Sequence, residues 1–103
     1  MTEDEIHSWI FLAVGMASQI EPCNVNEISM IADGINHAVP TQKELRNSLS
    51  WLSTRNLTQK HGNKYKLTIQ GQNLIDKAEE TTVSKTWNNL EKSLKTVHNT
   101  RYI

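Results

Sequence analysis

Apolar residues along this chain recur at helical spacing in five stretches and alternate in only one. In the first stretch Ile6, Trp9, Ile10, Ala13, Val14 and Ala17 follow at intervals of three and four, and Phe11, Leu12 and Met16 fill the remaining faces. This predicts a helix from about Thr2 to Ser18. Thr2 and Glu5 stand at capping-box spacing, and Glu3, Asp4 and Glu5 complement the positive end of the helix dipole. A helix apolar on nearly all sides is covered on more than one side. In so short a chain the second cover is expected from a partner subunit.

Glu21-Pro22-Cys23 breaks this pattern. Asn24, with Glu27 three residues on, then caps a second helix whose face is Ile28, Ile31, Ala32, Ile35 and Val39. Gly34 within it costs about 1 kcal/mol against Ala, which implies that another backbone packs closely there. His37 falls near the helix end, where a protonated ring would interact well with the dipole. Val39-Pro40 closes the helix, because the residue before proline leaves the α region. Thr41 and Glu44 form the next capping pair and open a third helix, Thr41–Arg55, after a tight turn that forces a steep crossing. Leu45, Leu49 and Leu52 make its apolar stripe. At about 100° per residue the opposite face is Lys43, Arg46, Asn47, Ser50 and Thr54, with Trp51 to one side.

Asn56 tolerates the left-handed conformation that stops a helix. Leu57–Lys60 and Tyr65–Thr68 then alternate as strands do, around the turn residues His61-Gly62-Asn63-Lys64. Thr68 caps a fourth helix, Ile69 to about Glu80, buried through Leu74, Ile75 and Ala78. In the fifth, which runs to about His98, Val83, Trp87, Leu90, Leu94 and Val97 form a heptad seam. Two heptads are too short to stand alone, so the seam either pairs with a second copy or folds back on the first helix. The expected dimer contact is Trp9, Val83, Trp87, Leu90, Leu94 and Val97.

Composition fits one domain of 103 residues, mainly helical with a small hairpin. The longest apolar run, Trp9–Val14, is far below the ~20 residues of a membrane span, and the acidic start is the reverse of a secretory leader's. The single Cys23 has no internal disulfide partner. A soluble, reducing, cytoplasmic setting is therefore expected. Net charge is zero, but it is segregated. Residues 1–40 carry six acids and no Lys or Arg, whereas residues 41–66 carry six bases against the single acid Glu44. That middle segment, at +5, is the pole a polyanion would meet.

Candidate catalysis is hard to place. His7, His37, His61 and His98 lie on four different elements without metal-ligand spacing, and the four glycines stand alone rather than in a phosphate loop. Asp33 and His37 have the spacing of a helix-stabilising pair. A non-enzyme without metal or cofactor is expected.

The segment LSWLSTRNLTQKHGNKYKLTIQGQNLI resembles the stretch from recognition helix through wing in winged helix-turn-helix proteins. Leu49, Leu52, Leu57, Tyr65, Leu67, Thr68, Gly71 and Leu74 match the pattern, and Asn56 stands where it has Gly. It is similar to bacterial regulators of the MarR and PadR kind, which pair through terminal helices. The resemblance implies an N-terminal helix (1–23), a winged-helix core (24–80) and a C-terminal helix (81–103), in a homodimeric transcriptional regulator of a bacterium or phage. It further implies that helix Thr41–Arg55 enters the major groove of double-stranded DNA. Lys43, Arg46, Asn47 and Ser50 would then face bases or phosphates, with Thr41 and Arg55 at the helix ends and Lys60, His61 and Lys64 on the wing tip. The alternative is a winged-helix adaptor that docks proteins without touching DNA. A third reading is a ligand-sensing regulator, with Trp9, Phe11 and Trp87 around a small apolar effector.

Overall fold

The computed structural model describes residues 1–100, the side chains of 97–100 excepted. Val97, assigned above to the seam, thus lies outside the described side chains. The elements in order are α1 (Glu3–Ala17), α2 (Val25–Asn36), α3 (Gln42–Thr54), β1 (Thr58–His61), β2 (Lys64–Leu67), α4 (Ile69–Ala78) and α5 (Val83–Thr100). The described chain is thus mainly helical with a small antiparallel hairpin.

Local chemistry sets most of these boundaries. All three capping boxes form: Thr2 with Glu5, Asn24 with Glu27 and Thr41 with Glu44 each exchange side-chain and backbone bonds. Each box satisfies two of the N–H groups that a helix start leaves unpaired. Two helix ends use the left-handed region, at His37 (φ 54°) and Asn56 (φ 60°). The second helix consequently stops at Asn36, and Val39, expected on its buried face, is exposed.

The hairpin is tighter than its turn residues suggest. His61 pairs with Lys64, so the loop is only Gly62-Asn63, and a positive φ at Gly62 (64°) supplies the twist. Before α2, Cys23 exchanges backbone hydrogen bonds with Tyr65, at 2.8 and 2.7 Å, which ties the hairpin to the α1–α2 connection.

The central element is α1, which packs against α2, α3 and α5. Trp9, Ile10, Ala13 and Val14 join Ile28, Ala32, Leu45 and Leu49 in one core cluster. Phe11 and Leu12 join Leu52, Leu57, Ile75, Leu90 and Leu94 in a second. The expectation that α1 needs a partner subunit to cover it is therefore corrected. Its own neighbours cover it, because the hairpin and α4 bring α5 back across it. The described part of the seam takes the second of its two expected courses and folds back on α1. Leu90 and Leu94 are fully buried in their own chain, and Trp9 is 2% exposed. Trp87 donates from Nε1 to the Glu5 carbonyl (3.1 Å) and Ser8 Oγ (3.0 Å). Of the described seam residues only Val83, 44% exposed, is left largely open.

Close backbone packing occurs at a glycine other than the one expected. A Cβ on Gly71 would strike the Leu57 carbonyl, whereas one on Gly34 would meet nothing within 4 Å. The Gly71 contact sets α4 directly against the base of the hairpin. Thr68 reinforces it, capping α4 through the Gly71 N–H and donating from Oγ1 to the Asn56 carbonyl at 2.7 Å.

Candidate nucleic-acid interface

Burying Leu45, Ser48, Leu49 and Leu52 turns the opposite side of α3 outward, and Lys43, Arg46, Asn47 and Ser50 all stand exposed on it. Their spacing of three, one and three places them along one stripe. Three of the nine residues expected at this interface, Arg46, Ser50 and Lys60, line a hollow between α3 and the hairpin. Ser53 and Tyr65 complete its walls over Leu49.

The pleat of the hairpin decides which cations share that hollow. Lys60 lies opposite Tyr65, with its Nζ 5.9 Å from the ring centroid, on the face turned to α3. Neighbouring strand residues point to opposite faces. His61 and Lys64, paired with each other at the turn, therefore project from the other side, as do Gln59 and Lys66. The wing cations expected to act together are thus divided, one against α3 and two at the outer tip.

At the other end of α3 the field is mixed. Glu3 and His7 from α1 share a shallow hollow with Lys43, Glu44 and Asn47. His7, buried, bonds through Nδ1 to Ser48 Oγ at 3.0 Å, and its Nε2 lies 3.9 Å from Glu3. This links the start of α1 to α3, so Glu3 stands beside the helix. Thr41 is engaged too: its N–H donates to the Glu44 carboxylate (2.8 Å) and its hydroxyl accepts from the Glu44 N–H (3.0 Å). A carboxylate thus already occupies the start of α3.

Arg55 is turned elsewhere. Its guanidinium lies 3.9 Å from the Trp51 ring centroid and donates to the Trp51 carbonyl at 3.2 Å. The same indole stacks on His7 with centroids 4.6 Å apart. Arg55 therefore braces the end of α3 and does not line the hollow.

Sequence reasoning missed Ser53, Tyr65, Glu3 and His7. Ser53 was within reach, since it continues the stripe one turn beyond Ser50. Tyr65 required the strand register, and the two α1 residues required the α1–α3 crossing.

Other chemistry finds little support. Burial, and secondarily the charge of Glu27, push the Cys23 thiol above its ordinary pKa, the opposite of an activated nucleophile. Among the described residues no group of three His, Cys, Asp or Glu is placed to hold a metal ion, and no helix is long and apolar enough to cross a membrane. Trp9 and Phe11 are buried among apolar side chains of the two core clusters. A scan against family models, a search of curated proteins and a search of solved structures each return no match.

Proposed function

We propose that this chain is a DNA-binding regulator of the winged helix-turn-helix type, with α3 in the major groove and the hairpin as the wing. Element order supports the reading: α2, a tight turn at buried Pro40, α3, and then a hairpin bridged at Tyr65 to Cys23. One observation carries it. The hollow between α3 and the hairpin offers two cations, Arg46 and Lys60, and two serine hydroxyls, Ser50 and Ser53, with no carboxylate in its lining among the described residues. A phosphate seated there would fix the helix against the duplex, and Asn47 and Ser50 would be left to meet base edges. Two copies would present two such faces to successive half-sites. Leu90 and Leu94 are buried within the single chain, so the pairing surface is sought elsewhere.

The test is fluorescence anisotropy with a labelled random-sequence duplex. Arg46→Glu combined with Lys60→Glu is expected to weaken binding by on the order of 100-fold with the helical content unchanged. The logarithm of the wild-type binding constant should fall with that of salt by about 0.9 per phosphate contact. Binding that ignores both salt and the double substitution would sink the proposal. The adaptor reading is favoured by one observation, the carboxylates of Glu3 and Glu44 beside Lys43. It predicts no duplex binding by the unaltered chain.

A further inference from the structure

Gly34 sits in mid-helix on α2, and nothing in its own chain requires a glycine there, since a Cβ would have open space around it. It does, however, line an open hollow of about 440 Å³ between α2, the end of α1 and the start of α5. Around it stand Met16, Met30, Ile31, Ile35 and Val83. Three of these are conspicuously uncovered: Met30 is 74%, Val83 44% and Met16 37% exposed. A second hollow of about 280 Å³ shares Met16, Thr82 and Val83 with the first, and continues it over Leu12 and Ile75.

Among the described residues, the Asp, Glu, Lys and Arg side chains that line this surface and the depression beside it are all acidic. Glu79 and Glu80 line the second hollow, and Asp76 joins them in the depression beyond. Glu27 stands exposed one turn before Met30 on the stripe that leads to Gly34. Among the described residues neither hollow is lined by a Lys or Arg, and His37 at the end of α2 borders the first.

We propose that this surface docks an amphipathic helix of another protein. Its apolar side would lie along Met16, Met30 and Val83, its backbone would approach closest over Gly34, and its Lys or Arg residues would meet Glu79 and Glu80. Helix-in-groove recognition needs an apolar trough with room for anchor side chains, and unbranched methionines adapt to their shapes. Glycine is the residue that lets another backbone come near. Charge complementarity selects a basic helix. A second copy fits less well, because two-fold pairing of this face would bring like acidic rims together.

The experiment uses the full chain and a fluorescent amphipathic peptide of about five helical turns, with Leu and Ala on one face and Lys on the other. A matched peptide carrying Glu for Lys serves as its counterpart. The Lys peptide should bind saturably at low salt, roughly tenfold more weakly to Gly34→Leu, and similarly more weakly to Glu79→Lys with Glu80→Lys. Gly34→Leu should melt no lower than the unaltered chain, so lost binding cannot be laid to unfolding. Arg46→Glu should leave peptide binding intact, which separates this surface from the α3–hairpin hollow. Equal binding to Gly34→Leu, equal binding of the Glu peptide, or no binding at all overturns the proposal. So does self-association in sedimentation that Gly34→Leu abolishes, since the occupant would then be a second copy.

Discussion

The hairpin side of the molecule and the α2 side differ in how completely the chain covers its own backbone. Under the hairpin, Gly71 lies against the Leu57 carbonyl, and Thr68, Asn56 and Gln70 bond around it. On α2, Gly34 faces open space between exposed Met30 and half-buried Ile31 and Ile35. The same residue type thus has opposite meanings. One glycine is required by a contact the fold has already made, and the other stands where no contact has been made. The hollow linings differ in parallel, with Arg46 and Lys60 at the hairpin and Glu79 and Glu80 where the α2 hollow continues.

The largest test of this division compares two ends of α5. Leu94 is fully buried, and Leu94→Ala should cost about 2–5 kcal/mol in chemical denaturation, as large-to-small core changes do. Val83 at the same helix's exposed start should tolerate Val83→Ser within about 0.5 kcal/mol. Similar losses at both would mean that α5 has no filled and open ends, and the contrast would collapse.

Next in size is the pair of glycines themselves. Gly71→Ala forces a methyl group into a backbone carbonyl that cannot rotate aside, and should destabilise by about 1–3 kcal/mol. Gly34→Ala puts the same methyl into empty space and recovers helix propensity, so it should stabilise by up to about 1 kcal/mol. Thermal unfolding of the two variants side by side reads both signs. If Gly34→Ala were destabilising, the hollow over α2 would already be filled by the chain.

Local features of this architecture were legible in the sequence, and relations between distant segments were not. Thr2, Asn24 and Thr41 announced their helices because a capping box is complete within four residues. Asn56 and Gly62 announced the chain reversals through backbone preferences of their own. The heptad spacing of Trp87, Leu90 and Leu94 was also visible, but an apolar seam looks the same whether it meets a partner or its own first helix. Only the path of α4 settles that, and it depends on a contact between Gly71 and Leu57, fourteen positions apart. The candidate interface divides along the same line. The exposed stripe on α3 follows from helical period alone. The separation of Lys60 from His61 and Lys64 needed the register, and the approach of Glu3 to Lys43 needed the α1–α3 crossing.

That last approach gives the smallest expected effect, and it sharpens the comparison within α3 itself. The helix ends beside Lys60 at the hairpin and begins beside Glu3, so a polyanion lying along it meets attraction at one end and repulsion at the other. Glu3 is highly exposed, with its side chain 92% accessible, so water screens its charge and the penalty is modest. Glu3→Gln should tighten duplex binding by about 0.2–1 kcal/mol, the range of exposed charge interactions. The gain should fade in high salt, as the screening length falls toward ~3 Å at 1 M. Asn24 and Glu27 cap α2 far along the chain, so α2 stability should be untouched, while the Thr2–Glu5 box remains to hold α1. A measured loss of affinity in Glu3→Gln would mean that Glu3 supports the interface. The acidic start of α1 would then have to be counted as part of the binding face, and α3 would no longer have one attractive and one repulsive end.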